Sequence, residues 1–128
     1  MGPDGWRGLL LRGPSGAGKS DLALRLVDAG WRLVADDYAH VWASGGALYA
    51  CAPDRIAGRI EARGLGILDC GVLPISRIVL LVDCQRQPPE RLPDPASEDV
   101  AGVRLTRLVL NVRPASATVT LRLAMDRL

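Results

Sequence analysis

The stretch GPSGAGKS, from Gly13 to Ser20, constrains this chain more than any other. Gly13, Gly18, Lys19 and Ser20 stand at the spacing G-x-x-x-x-G-K-[ST]. The apolar run from Gly8 to Arg12 precedes it and reads as a buried strand. Ser20 to Ala29 comes next and reads as a helix, with Leu22, Ala23, Leu26 and Val27 on one face. Asp21 can pair with Arg25 one turn on, and Gly30 is a helix stop. A strand, a glycine turn and a helix in this order form a phosphate cradle. Glycines let the backbone aim its N–H groups at one anion with no Cβ in the way. The helix N-terminus adds partial positive charge. Lys19 is the only lysine in a chain that otherwise uses arginine. A compact cation on a flexible stem reaches β- and γ-phosphates where a planar guanidinium fits poorly. Ser15, Gly16 and Ala17 complete the cradle, and the Ser20 hydroxyl is placed to ligate Mg²⁺. The glycines read G-x-x-G-x-G, so a dinucleotide fingerprint is not supported.

The remainder fits one α/β domain over residues 1–128, with a sheet of mixed direction. Trp31 to Ala35 reads as a second strand ending at Asp36-Asp37. AHVWA and ALYACA flank Ser44-Gly45-Gly46, a hairpin signal. Pro53 can open a short helix toward Ile60. Arg77 to Val82 and Leu108 to Val112 read as strands. Gln87 to Ala96 carries four prolines and reads as a surface loop. The segment SATVTLRLAMDRL alternates like a strand and also recurs like a helix. A helix capped by Ser116 is preferred.

Charge and composition exclude several classes. A formal net charge of +2, with scattered arginines, gives no nucleic-acid footprint. No apolar run reaches the roughly 18 residues a membrane span needs. Residues 1–8 carry no charged-then-apolar leader, so a cytoplasmic location is expected. Cys51, Cys70 and Cys84 are too far apart for a zinc pair or a disulfide framework and read as small buried thiols. His40 reads as a strand residue.

A phosphate cradle needs a carboxylate to manage metal and nucleophile. Three places offer one. Asp36 and Asp37 end the LVADD run, and their side chains diverge at a strand end. One can accept a hydroxyl proton while the other steadies a metal. A solvated turn is the alternative. Glu61 lies in EARGLGIL, where Gly64 and Gly66 suggest close backbone approach; the plainer reading is a surface pair of Glu61 with Arg63. Asp83 ends the apolar run IVLLVD and has the look of a second nucleotide motif, or of a strand-end turn residue.

RGPSGAGKSDLALRLVDAGWRLVADDYAHV followed by EARGLGIL resembles the catalytic domain of HPr kinase/phosphorylase. That family combines this P-loop with a VADD acid pair and an E-x-R-G-L-G-I signature. The close match covers residues 8 to 70, and PPERLP and LVLNVRP match more loosely. In length the chain is similar to the compact proteobacterial forms. The resemblance implies a P-loop core like that of phosphoenolpyruvate carboxykinase, with ATP and Mg²⁺. It implies phosphorylation of a serine on an HPr-like phosphocarrier, reversal by phosphorolysis with release of pyrophosphate, and often a hexamer. By position, Gly13, Gly16, Gly18 and Lys19 would cradle phosphates, and Ser20 and Glu61 would serve Mg²⁺. Asp36 would be the base, Asp37 would assist, and Arg91 would fall near the loop associated with phosphorolysis. Several features depart from the family. Residues 1–8 contain no histidine, Ala115-Ser116-Ala117 replaces the family's G-R-N, and the region matching the family's mobile loop is proline-rich and differs. Two other readings stay open: a small-metabolite kinase with an arginine lid, for which Arg86 and Arg91 are candidates, and a nucleotide-binding regulator without turnover.

Overall fold

The computed structural model describes residues 6–14, 16–34, 39–52, 59–62, 66–69, 75–85 and 96–128, the side chains of residues 59–69 excepted. The elements are β1 (Arg7–Arg12), α1 (Lys19–Asp28), β2 (His40–Ser44), β3 (Ala47–Cys51), β4 (Arg59–Ala62), β5 (Gly66–Asp69), β6 (Ile75–Gln85), β7 (Ala96–Val100), β8 (Val103–Asn111) and α2 (Ala117–Asp126). The chain is an α/β protein with a mixed sheet, as the sequence pattern predicts.

The long strand β6 organises the sheet. β1 pairs parallel to it along one edge, from Arg7 opposite Arg77 to Arg12 opposite Asp83. The other edge is shared end to end. Its first part takes β3 antiparallel, with Cys51 opposite Ile75 and Leu48 opposite Ile78. Its second part takes β8 parallel, from Leu80 opposite Thr106 to Gln85 opposite Asn111. β2 extends the sheet from β3, and β7 extends it from β8. β4 and β5 form a separate two-stranded hairpin, and β4 runs beside α1.

Alternation along the strands sorts side chains to two faces. Leu9, Leu11, Leu80, Val82, Cys84, Leu108 and Leu110 meet Leu22 and Leu26 of α1 and Leu121 and Met125 of α2. Leu10, Leu48, Ala50, Ile78, Leu81 and Leu105 cluster on the opposite face. Ile78 and Leu80 fall on different faces because the β1–β6 register shifts between Gly8 and Leu9, leaving Val79 as the extra residue of a bulge. Fully burying each leucine stabilises the fold by about 1.5–3 kcal/mol relative to exposure. Both helices are therefore held by one apolar seam over β1, β6 and β8.

Several local expectations hold. α1 ends with Gly30 at φ +101°, and Arg25 Nε lies 3.1 Å from Asp21 Oδ2. The Gly45-Gly46 turn joins β2 to β3, with His40 exposed opposite Cys51. Three do not. The strand expected over Trp31–Ala35 is reduced, among the described residues, to a single bridging residue at Leu33. The helix expected from Pro53 toward Ile60 is contradicted at its end: Ile60 sits in β4, paired with Leu68. Residues 53–58 lie outside the described residues. Ser116 does precede α2, but its hydroxyl makes no capping bond, because the residue is already helical at φ −70°.

Candidate functional site

The passage from β1 to α1 builds the site. β1 ends at Arg12, and the chain leaves the sheet at Gly13 directly over β6. A Cβ on Gly13 would stand 2.6 Å from the Cys84 carbonyl oxygen, so only glycine fits that close approach. The Ala17 amide donates to the Pro14 carbonyl at 3.1 Å, turning the loop back. Gly16 and Gly18 adopt φ +82° and +99°, which side-chain-bearing residues avoid. Gly18 caps α1 and its carbonyl takes the Leu22 amide at 3.0 Å. Lys19 opens the helix, and its ammonium donates to the Gly13 carbonyl across the mouth of the loop. A cavity of about 770 Å³ has Gly13, Lys19 and Ser20 in its wall, together with Leu9, Trp31 and Leu33. Glycine-shaped backbone, a helix N-terminus and a half-buried ammonium make a concave cation-rich socket, which chemically accepts an anion.

Beneath the socket lies Cys84, 3% exposed. Burial pushes its thiol up to about 11, and the nearby Lys19 charge only partly opposes this. The thiol therefore stays neutral, a structural group rather than a nucleophile. Cys51 is also free and half-buried, and Cys70 lies outside the described residues.

Asp83 is committed elsewhere. Arg12 Nε donates to its Oδ1 at 2.7 Å and Arg12 Nη2 to its Oδ2 at 3.1 Å. Arg107 Nε donates to Oδ2 at 2.5 Å. Arg12 also holds Glu98, with Nη2 donating to Oε1 at 2.9 Å. The four residues come from β1, β6, β8 and β7 and share the sheet face opposite the helices, in phase with Leu10, Leu81, Leu105 and Val100. Hydrogen bonding from Arg12 holds the Asp83 carboxyl below the usual carboxylate range, with burial opposing and Arg107 adding to the effect. The same arginine lowers Glu98, and the two carboxylates raise Arg12. Both oxygens of Asp83 are thus bound by guanidinium groups rather than offered to a metal.

The other sequence candidates fare unequally. Gly13, Gly16, Ala17, Gly18, Lys19 and Ser20 come together as expected. Ser15, Asp36, Asp37, Arg86 and Arg91 lie outside the described residues. Glu61 is placed by its backbone alone, opposite Ile67 in a hairpin whose first strand lies beside α1. Among the described residues no group of three His, Cys, Asp or Glu could hold a metal ion. The charged quartet escapes sequence inspection, since its members meet only through the register of four strands. Arg25 is a second omission. Beyond its pair with Asp21, it donates to the carbonyls of Val112 and, at 3.2 Å, Pro114, tying α1 to the turn before α2.

A mixed α/β sheet whose central parallel pair delivers a glycine turn to a helix defines the architectural class. Residues 6–121 match the family model described as the HPr serine kinase C-terminal domain, and the chain belongs to that family. HPr kinase/phosphorylase of Geobacillus thermodenitrificans is 38% identical over 120 residues, covering 84% of this chain and 39% of the relative. The protein of the same name from Clostridium tetani is 35% identical over 119 residues, with the same coverage of 84% and 39%. The chain thus spans about two fifths of the length of these relatives. The HPr(Ser) kinase/phosphatase structure from Coxiella burnetii superimposes with a TM-score of 0.77 at 24% identity, covering 94% of this chain and 91% of that one. Among the described residues no helix is long and apolar enough to cross a membrane.

Proposed function

We propose that residues 1–128 act as one catalytic unit that transfers the γ-phosphoryl group of ATP to a serine of an HPr-like phosphocarrier. The observation that carries this reading is the Lys19 ammonium facing the glycine-shaped turn at Gly13, in a chain of the HPr serine kinase family. The core is then a P-loop core of the phosphoenolpyruvate carboxykinase type. Gly13, Ser15, Gly16, Ala17 and Gly18 bind phosphate through backbone N–H groups, and Lys19 binds it through its charge. Ser20 and Glu61 hold Mg²⁺, which supplies charge neutralisation at the phosphate oxygens. The donor types fit that ion, since a hydroxyl and a carboxylate are the oxygen ligands magnesium prefers.

Asp36 takes the seryl proton as the hydroxyl oxygen attacks phosphorus, and Asp37 assists. In phosphorolysis inorganic phosphate attacks the seryl phosphorus and leaves as pyrophosphate, while protonated Asp36 returns its proton to the departing serine, because the same group serves both directions by microscopic reversibility. Arg91 attends the reverse reaction. A cytoplasmic location, a hexameric assembly, and the absence of nucleic-acid and membrane partners belong to the same proposal. They rest on the family resemblance and the scattered charge.

Incubation with γ-labelled ATP and a panel of HPr-type carriers tests the proposal. Label is expected on a carrier serine and is expected to vanish in Asp36→Asn while nucleotide binding persists. Transfer to a small metabolite instead, or binding with no transfer at all, would overturn it.

A further inference from the structure

The cradle depends on the register of β1 against β6, and little in that ladder specifies it. The bulge between Gly8 and Leu9 separates pairing upstream from pairing downstream. Past the bulge, Leu9, Leu10 and Leu11 face Leu80, Leu81 and Val82. Leucine against leucine is non-directional, so a slip by one residue changes these contacts little in kind, though it reverses every side chain. The cradle tolerates no slip, because Gly13 must pass over the Cys84 carbonyl, where a Cβ would be 2.6 Å away. The last pair before that crossing is Arg12 with Asp83, the one opposite-charge pair in the ladder. It is two-pronged, at 2.7 and 3.1 Å, and braced by Arg107 from β8 and Glu98 from β7. Two parallel N–H···O bonds fix direction as well as distance.

We propose that Asp83 and Arg12 are positioning residues that lock the register of β1 so that the Gly13 carbonyl holds the Lys19 ammonium and the cradle amides face the phosphates, and that Asp83 is not a magnesium ligand. The proposal rests on the nucleotide reading of the cradle and adds a role to the acid at the end of the apolar run. A carboxylate at that place invites assignment to the metal, whereas its bonds assign it to the strand beside it.

Nucleotide titration of the full chain, by calorimetry with ATP in Mg²⁺ and again in EDTA, separates the two roles. Arg12→Gln and Asp83→Asn are each expected to weaken binding up to about fivefold, equally with and without Mg²⁺, the most that a largely exposed ion pair contributes. The double variant is expected to be no worse than either single one, because both remove the same pair. Arg12→Lys keeps a single-pronged pair and is expected to recover part of the loss, which also guards against variants that fail to fold. An Asp83→Asn defect seen only with Mg²⁺, with Arg12→Gln unaffected, would make Asp83 a metal ligand and overturn the lock. Unchanged affinity in both variants would overturn it equally. A wild-type chain that binds no nucleotide in either condition would instead overturn the cradle reading, and the lock with it.

Discussion

The molecule makes the passage from strand to helix twice, beside the same central strand, and only one passage has the geometry proposed to cradle phosphate. β1 leads to α1 on one edge of β6, and β8 leads to α2 on the other. Each passage turns at a proline whose carbonyl accepts an alanine amide: Ala17 to Pro14 at 3.1 Å and Ala117 to Pro114 at 3.0 Å. Each delivers a helix N-terminus with its partial positive charge. Beyond the proline they diverge. The first passage is longer and runs through Gly16 and Gly18 in the left-handed region before Lys19. The second goes straight into helix through Ser116 at φ −70°. A helix dipole is therefore common to both and cannot select phosphate alone. The two passages differ in two left-handed glycines and one ammonium, on which the proposed phosphate site rests.

Substitutions at matched places sharpen this contrast. Lys19→Ala has the largest expected effect. Nucleotide-phosphate affinity should fall at least about tenfold, the value of one charge-assisted contact, with little change in unfolding midpoint. A titration showing unchanged affinity would return the two passages to equivalence. Gly18→Ala comes next, because it combines left-handed strain with a contact at 3.1 Å from Val112 Cγ2. A loss of about 2 kcal/mol in urea unfolding is expected. Gly30→Ala, at φ +101° with nothing within 4 Å, isolates the strain and should cost less, about 1 kcal/mol.

The strand ends leading into the two turns also differ. β1 ends in Arg12 with its carboxylates, whereas β8 ends in Asn111, whose Oδ1 accepts the Arg113 amide at 3.1 Å. Asp83 and Glu98 have folded values lowered by Arg12. Their contribution is therefore present above the unfolded carboxylate range, near pH ~4, and is lost as pH falls through the lowered values. Urea midpoints measured from about pH 6 down to about pH 3 should fall less steeply in Arg12→Gln than in wild type. Equal slopes would mean the quartet adds nothing. The smallest effect belongs to Ser116→Ala. It removes no capping bond, and it should stay within about 0.5 kcal/mol by thermal unfolding.

The cradle is legible in the sequence because its determinants are contiguous. Glycine spacing, lysine and amphipathic helix all fall between Gly8 and Gly30, and the described residues among them form the strand, turn and helix that the pattern predicts. The hairpin at Gly45-Gly46 is legible for the same local reason, whereas the final segment carries both strand and helix periodicity and resolves as helix α2 only in the fold. β7 is not, since ASEDV carries one branched apolar residue and lies at the sheet edge, held by pairing with β8 through the Ala101-Gly102 turn. β4 escapes because proline at position 53 suggests a helix start, whereas Arg59–Ala62 is fixed by antiparallel partners in β5. Asp83 is ambiguous for a different reason. Its position at the end of an apolar run is visible, but its partners Arg12 and Arg107, and the Glu98 that Arg12 also holds, are brought together by three other strands.

The residue beneath Gly13, Cys84, has an electrical consequence for whatever occupies the socket. A thiol raised to about 11 stays uncharged across the physiological range, so no anion forms under the cradle. An acidic side chain in that place would set like charge against the incoming group. Cys84 instead keeps the core under the turn neutral, and leaves the field above it to the lysine and the backbone amides.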